Sequence, residues 1–414
     1  MIRLRRAAAA LAAALLVPLA ASAREPVGGA EAAMGSSFRP SLSDDGSRIA
    51  FESTARLSPD DKDRHMDVYV VDLPTGTPRR LPRSATSAGA GGACLSGDGN
   101  AVAYHVVEVA GKPDVQPLSV VLVRDLDSDR VRRIPPGWFG VKADGEAVFP
   151  ELGRTDRFVA FTSNAPGLGV KRDPPVRGVF LYEADTDKVR LISRNANGVS
   201  ANRPSAEARV SRDGRTVAFL SAATNLDPSL PANSLSHHLY VTDRSSGTLV
   251  RVDKIERGFN SSEWIAGRFS MNSRGDVIVF EARQRRPGKP LDSLDTNDLF
   301  IFEASSGAVS RLTSGLFSGH SHSPTVSGNG RWTAFVYAGA GQDPPAIVVY
   351  DRQRDLWRRV IDGTCAHPAL SGDGRRLAFE SADPRITGDK IKRSRIYVID
   401  NPSYEVKEST DAGH

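Results

Sequence analysis

The side chains best suited to chemistry are histidines and arginines near the predicted starts of strands. His320, His322 and His367 fall close to one another in a repeating pattern, and Arg39 holds the corresponding position near the N-terminus. Three imidazoles and a guanidinium at one place could bind a divalent metal or abstract a proton. A histidine or arginine before proline, as at positions 39 and 367, is also a common start for such a strand, where it hydrogen-bonds to neighbouring structure. Both interpretations stay open.

A second candidate surface consists of basic residues in long predicted loops. Collected on one face of a nearly neutral body, they could bind an anionic envelope component or an acidic protein surface. The alternative is solvated loop charge, since several aspartates lie in the same loops. Nucleic acid is not expected as a partner, because no recognition motif interleaves these charges. The basic residues are Lys171, Arg172, Arg283, Arg285, Arg286, Lys289, Lys392 and Arg393.

Motifs for several enzyme classes are missing from the sequence. There is no Gly-x-Ser-x-Gly nucleophile elbow, no His-Glu-x-x-His, no Gly-x-x-x-x-Gly-Lys and no Cys-x-x-Cys. We therefore predict no cofactor and no metal, except that a divalent metal would accompany the histidine and arginine site.

The N-terminus has the pattern of a cleaved signal peptide. Three arginines precede an apolar run at 7–19, and small residues at 21–23 suit a signal peptidase. Cleavage after residue 23 removes three arginines and no acids, so the formal net charge falls from +5 to +2. We expect a periplasmic or secreted protein of bacterial origin, monomeric and without a membrane anchor after cleavage.

The elements that must position these residues come from an internal repeat. A unit of the form Ser-x-Asp-Gly-x-x-apolar-Ala-aromatic recurs, and its aromatic positions lie 44 to 61 residues apart. An Asp-Gly pair between two apolar runs is the strongest short-range hairpin signal. Two copies are degraded, and in one of them Asp156 replaces the glycine. The seven aromatic residues are Phe51, Tyr104, Phe161, Phe219, Phe280, Phe335 and Phe379.

Each repeat predicts four antiparallel strands, so the chain is predicted to be all-β, a seven-bladed β-propeller of four-stranded blades. The propeller spans 36–408, between a short N-terminal lead at 24–35 and a tail at 409–414. A first strand at 38–43 and a last strand at 404–407 predict that the ring closes between whole blades, with no strand borrowed from the other terminus. Cys94 and Cys365 would lie two blades apart, which favours two buried free thiols over a disulfide.

The Ser-x-Asp-Gly…Ala-Phe…Tyr-Val-x-Asp unit resembles the WD-like propeller repeat of TolB and its relatives over about 36–407. The resemblance implies the propeller fold, but it is not specific for function, because the same repeat builds peptidase and lyase propellers. TolB itself carries an α/β domain before a six-bladed propeller, and this sequence has no room for that domain. No functional residue is therefore transferred from the family.

In such a blade, the turns between strands one and two and between strands three and four share one face. The loops between strands two and three share the other face, and here several are ten or more residues long, as at 54–66 and 220–237. Loops of that length are more often functional than incidental. We therefore predict a non-catalytic scaffold that binds a protein or an anionic envelope polymer on the long-loop face. The alternative is a metal-assisted polysaccharide lyase or hydrolase, with the histidines and Arg39 at the mouth of the central channel.

Overall fold

The structure is a computed structural model of the 414-residue chain. It describes residues 26–29, 34–84, 87–109, 118–134, 145–165, 168, 176–234, 236–254, 264–284, 297–313, 319–388 and 392–404.

The chain forms a seven-bladed β-propeller of antiparallel blades, as the repeat predicts. Blade 1 contains β1 (Ser37–Leu42), β2 (Arg48–Ser53), β3 (Asp67–Asp72) and β4 (Pro78–Arg80), and blade 2 contains β5 (Ser87–Leu95), β6 (Ala101–Glu108), β7 (Leu118–Asp125) and β8 (Val131–Ile134). Blade 3 contains β9 (Ala147–Leu152), β10 (Phe158–Ser163), β11 (Gly178–Glu183) and β12 (Lys188–Leu191), and blade 4 contains β13 (Ser205–Val210), β14 (Thr216–Ser221), β15 (His238–Asp243) and β16 (Thr248–Arg251).

The remaining blades follow in chain order. Blade 5 contains β17 (Trp264–Met271), β18 (Val277–Gln284), β19 (Asp298–Glu303) and β20 (Ala308–Arg311), and blade 6 contains β21 (Ser321–Val326), β22 (Trp332–Tyr337), β23 (Ala346–Asp351) and β24 (Leu356–Asp362). Blade 7 contains β25 (Cys365–Leu370), β26 (Arg376–Ser381) and β27 (Arg395–Asp400), and the short helix α1 (Pro384–Thr387) lies between its last two strands. Within the described residues, no helix is long and apolar enough to cross a membrane.

The core lies between neighbouring blades and is built from the second and third strands. Their alternating side chains are buried on both sides because each sheet stacks radially on the next one. In five blades, the aromatic residue that the repeat places in the second strand stacks on an aromatic residue directly opposite it in the third strand. In blade 1, the ring centroids of Phe51 and Tyr69 lie 6.1 Å apart. Aromatic pairs of this kind add stability beyond the area that they bury.

The tight-turn face is joined by hydrogen bonds between main chains. Each bond runs from a turn in one blade to a turn in the next, as from Asp44 N–H to the carbonyl of Gly97 (2.7 Å) and from Arg212 N–H to the carbonyl of Ser273 (2.8 Å). In the described chain such bonds link six of the seven neighbouring pairs, and one runs from Asp373 in blade 7 back to Asp44 in blade 1 (2.9 Å). The hairpin turns that the repeat predicts are therefore also the links between blades.

Ring closure differs from the expectation that whole blades meet. The N–H of Val27 donates to the carbonyl of Ile396, the second residue of β27, at 2.9 Å. In blade 1 the same bond runs from Leu81, just after the fourth strand, to Val68, the second residue of β3 (2.8 Å). The N-terminal segment thus makes a fourth-strand contact in the last blade, and the prediction of closure without a borrowed segment is corrected here. The predicted last strand at 404–407 lies outside the described residues beyond Tyr404.

Two smaller expectations are settled by the same structure. Cys94 and Cys365 are both buried and are not joined in a disulfide, as predicted. Blade 3 pairs as a normal four-stranded sheet although its turn lacks the glycine.

Candidate functional site

Seven equivalent residues, which we call the ring positions, surround the central channel where the first strands begin. Each stands in an irregularity of the pairing between the first and second strands, two residues opposite one, as between Phe38 and Ser41 in blade 1. Six of the seven have positive φ, including His367 at 44° and Phe149 at 52°. Side chains rarely adopt this conformation, and such strain concentrates at functional sites. The ring positions are Arg39, Gly92, Phe149, Glu207, Arg268, Ser323 and His367, and Arg268 is the one without positive φ.

Glutamates from the second strands hold three ring positions in place. The Oε1 atom of Glu52 in blade 1 accepts the main-chain N–H of Gly92 in blade 2 at 2.6 Å. Glu281 does the same for Ser323 in the next blade, also at 2.6 Å. Glu380 accepts the N–H of Arg39 across the closure of the ring. Each carboxylate therefore satisfies the main chain of the following blade, and burial raises the pKa of both Glu52 and Glu281.

Blade 2 contributes a gap at the mouth instead of a side chain. A Cβ atom on Gly92 would lie 2.6 Å from Nδ1 of His105, so only glycine leaves room for this imidazole. Across the gap, the guanidinium of Arg39 lies 5.9 Å from the ring centroid of Phe149, and the His105 ring packs on the edge of Phe149 at 5.7 Å. Burial lowers the pKa of His105 to about 4, so this imidazole is neutral at physiological pH.

A close polar contact at the mouth joins His367 and Glu380. Nδ1 of His367 lies 2.7 Å from Oε1 of Glu380, whose side chain is 6% exposed. The same oxygen accepts the N–H of Arg39, so one buried carboxylate contacts both residues. The guanidinium of Arg39 also lies 3.8 Å from the carboxylate of Glu52, and the Arg39 side chain is 48% exposed. The contact between His367 and Glu380 is close but does not have the geometry of a hydrogen bond, so it brings a carboxylate beside the imidazole, as around a general base, without fixing the direction of the ring.

The other two histidines have different environments. Nδ1 of His320 accepts the N–H of Asn297 at 3.0 Å, which places this exposed residue in the packing between blades 5 and 6. His322 contacts the hydroxyl of Ser323 at 3.1 Å, and burial, together with the charge of Arg268, lowers its pKa.

The three histidines do not meet the geometry of a shared metal site. Among the described residues, the one group whose ligand atoms come close enough together is Asp61, Asp63 and Asp67 in blade 1. Arg83 and Arg80 pair with these aspartates, so their charge is already compensated. A metal held by His320, His322 and His367 therefore does not fit the residues present.

The ring positions open into a central cavity of about 540 Å³, lined by the first strands of all seven blades. Cavities of roughly 300–1,000 Å³ are typical of small-molecule sites. At mid-depth, Cys94 Sγ lies 3.4 Å from Oε2 of Glu151, whose other oxygen pairs with Arg209 at 2.5 Å. Burial raises the pKa of both Cys94 and Glu151.

The basic loops are described only in part. Arg283 and Lys392 are exposed, and Arg393 is half-buried and has a polar or charged partner. The other five basic residues, Lys171, Arg172, Arg285, Arg286 and Lys289, lie outside the described residues. The basic surface therefore stays a prediction.

The sequence analysis named two of the ring positions, Arg39 and His367, but missed the residues behind them. Glu52, His105, Glu281 and Glu380 each follow the repeat aromatic of a second strand, a position that holds an apolar residue in blades 4 and 6. A charged residue at that position in an otherwise apolar strand is the signal that could have identified them.

Comparisons with known proteins support the architecture. No family model matches the chain, and no curated protein matches it. Among solved structures, the chain is similar to an oligogalacturonate lyase in complex with manganese, with 14% identity, a TM-score of 0.59, and coverage of 89% of this chain and 91% of the other. The β-propeller domain of the trilobed protease from Pyrococcus furiosus, described as having an open velcro topology, matches with 11% identity and a TM-score of 0.53, covering 84% and 91%. These likenesses show the fold alone.

TolB from Acinetobacter baumannii is also similar, with 12% identity, a TM-score of 0.41, and coverage of 82% of this chain and 77% of the other. The neighbours thus include TolB and other propeller proteins, while the sequence family stays a prediction.

Proposed function

We propose that the protein is an exported, non-catalytic propeller that binds a carboxylate-bearing ligand at the channel mouth on its long-loop face. The ligand is a segment of an acidic envelope polymer or an acidic protein segment. The observation that carries the proposal is the pair of exposed guanidinium groups among the ring positions, Arg39 and Arg268. Planar guanidinium groups bind carboxylates with two parallel hydrogen bonds.

The surroundings of these arginines support an anionic ligand. Of the ring positions, only Glu207 carries an exposed carboxylate, and the carboxylates of Glu52 and Glu380 are buried behind the mouth. Phe149 is 43% exposed beside Arg39 and offers an apolar surface for the face of a sugar ring or an aliphatic side chain. Export, as the N-terminal sequence predicts, would place this mouth in contact with envelope polymers.

Calorimetric titration with short oligomers of galacturonic acid tests the proposal, and neutral galactose oligomers of equal length are the control ligands. We expect binding of the acidic series only, weakened by salt. Because a hydrogen bond to a charged group is worth about 1.5–3 kcal/mol, Arg39→Ser or Arg268→Ser should weaken binding roughly tenfold to a hundredfold. Arg215→Ser, which breaks an exposed ion pair with Asp243 on the opposite face, is the matched control and should bind normally.

Equal affinity of all four proteins for the acidic oligomers would contradict the proposal, as would equal binding of the neutral series. If the acidic oligomers do not bind at all, an aspartate- and glutamate-rich peptide is titrated in the same way. Absence of binding there too would remove the proposed function.

A second candidate, an enzyme acting on an acidic polysaccharide, is favoured by one observation, the contact of 2.7 Å between His367 and Glu380. With Nδ1 facing the carboxylate at this distance, the other nitrogen could accept a proton next to the carboxyl group of a uronic acid bound by Arg39. In this elimination the proton next to the carboxyl group is lost, a carbon–carbon double bond forms, and the bond to the glycosidic oxygen on the adjacent carbon breaks; that oxygen leaves with the rest of the chain and takes a proton from water. The product is an unsaturated sugar, whose ultraviolet absorbance is measured directly. The enzyme proposal requires that absorbance in the wild type and its loss in His367→Asn, while oligomer binding by calorimetry is retained.

A further inference from the structure

The tight-turn end of the central cavity is built from a second set of seven equivalent residues, which we call the throat positions. Each is the second residue after the end of a first strand, five residues after a ring position. Three are glycines, one is serine, and three carry charge. The throat positions are Asp44, Gly97, Arg154, Arg212, Ser273, Gly328 and Gly372, and all of them line the cavity.

The charged throat residues meet across the channel. Asp44 of blade 1 forms an ion pair with Arg212 of blade 4, three blades away around a ring of seven. Side chains from nearly opposite blades can touch only where they span the opening. The Asp44 side chain is 28% exposed and the Arg212 side chain is 42% exposed, so the pair spans the opening with its outer side in contact with solvent. Partial burial raises the pKa of Asp44, against the opposing charges of Arg212 and Arg154.

The glycines explain why the ion pair between Asp44 and Arg212, which we call the plug, can form. A Cβ atom on Gly372 would lie 2.2 Å from Oδ1 of Asp44, and one on Gly97 would lie 2.8 Å from Oδ2. Any side chain at either position would displace the carboxylate. On the far side, a Cβ on Gly328 would lie 3.0 Å from the Cα of Gly372, so the main chains of blades 6 and 7 are also in contact there.

We infer that the channel is a blind funnel, open at the ring positions and closed at the throat, and that its ligand is the end of a carboxylate-bearing chain or a single small unit. A polymer cannot pass through the channel, so an internal segment has access only to the mouth. The cavity of about 540 Å³ is of the size that encloses one small ligand. The identity of the ligand rests on the proposed function, whereas closure of the throat does not.

Closure is tested without any ligand by the reactivity of Cys94, which lines the cavity. In a Cys365→Ser background, the rate of Cys94 modification by a small cationic methanethiosulfonate is measured with and without the double substitution Asp44→Ala, Arg212→Ser. A closed throat predicts a several-fold faster reaction in the double variant, because a second entrance opens. Arg215→Ser, in the same turn of blade 4 but paired outside the cavity, should leave the rate unchanged.

A rate that does not change when the plug is removed would show that the throat is already open and would overturn the inference. Unfolding midpoints are measured for every variant, and the single substitution Arg212→Ser is used if the double variant is unstable. A rise in rate that Arg215→Ser reproduces would also overturn it, because general loosening would then explain the reactivity.

End recognition is tested with polygalacturonate before and after partial hydrolysis, compared at equal mass. Binding to chain ends predicts that the apparent affinity per unit mass rises in proportion to the number of ends created. Unchanged affinity per unit mass overturns end recognition. If neither sample binds, and the aspartate- and glutamate-rich peptide does not bind either, while the Cys94 rate still rises in the double variant, the proposed function fails and the closed throat stands.

Discussion

Closure of the ring by the N-terminal segment can be tested at a single residue, Val27. Its N–H donates to the carbonyl of Ile396, and its half-buried side chain packs between the last and first blades. Pro26, Val27, Gly28 and Gly29 form a turn, with φ of 93° at Gly28 and a hydrogen bond from Gly29 N–H to the Pro26 carbonyl. Proline is favoured at the second position of such a turn, so Val27→Pro removes the donor while preserving the local conformation.

The expected magnitude follows from the bond that is lost. Ile396 is 0% exposed, so its carbonyl would be left without a partner in the core, at a cost of about 1–3 kcal/mol. Val27→Ala keeps the N–H and removes two methyl groups that are only partly buried, for a loss of about 1 kcal/mol. Leu81→Ala, at the equivalent but fully buried position of blade 1, should cost about 2–5 kcal/mol.

Urea unfolding followed by tryptophan fluorescence gives the free energy of unfolding for each variant. The order of destabilisation should be Leu81→Ala greatest, then Val27→Pro, then Val27→Ala. If Val27→Pro unfolds within about 0.5 kcal/mol of the wild type, the hydrogen bond to Ile396 does not contribute to closure and the reasoning is wrong.

Two further substitutions test the packing and the ionisation described above. Gly374→Ala should destabilise the fold by about 2–5 kcal/mol, because φ is 80° and the new Cβ would lie 2.1 Å from the Trp332 ring. Its control, Gly76→Ala, has φ of 70° and open space around it, and should cost only about 1–2 kcal/mol. Equal midpoints of thermal unfolding for the two variants would contradict this expectation. Burial raises the pKa of Glu281, so this carboxyl group stays protonated to a higher pH in the folded state than in the unfolded chain. Stability therefore falls as the pH rises from the pKa of the unfolded chain, 4.5, through the raised pKa of the folded state. Glu281→Gln keeps an acceptor for the N–H of Ser323 and cannot ionise. Its free energy of unfolding, measured between pH 4 and pH 8, should therefore fall less steeply with pH than that of the wild type. An equal or steeper fall would show that the raised pKa of Glu281 is not the cause.

The blades were predictable from the sequence because their signals are local. An Asp-Gly turn between apolar runs, as at Asp45 and Gly46, specifies a hairpin within a few residues. Arg39 and His367 were also identified, since both precede a proline at the predicted start of a first strand. Closure was not found, because Val27 lies outside the repeat and its partner Ile396 is far away in the sequence. A hydrogen bond between residues so far apart in the sequence leaves no local pattern from which it could be predicted.

The residues behind the ring positions required the structure for a different reason. Glu380 accepts the main-chain N–H of Arg39 only because blade 7 stands beside blade 1, which a linear reading cannot establish. The positive φ at Arg39 and His367 could not be predicted either, because these residue types do not indicate that conformation in a sequence, whereas glycine does.

The main-chain bonds between blades on the tight-turn face have an evolutionary consequence. They use peptide groups, so blade order and spacing depend little on which side chains stand at the opposite end of the channel. Under the proposed function, mutation at Arg39, Glu207 or Arg268 would therefore exchange one recognition chemistry for another without loss of the scaffold. Related propellers can then diverge in specificity through a few substitutions at the mouth while the supporting face stays constant.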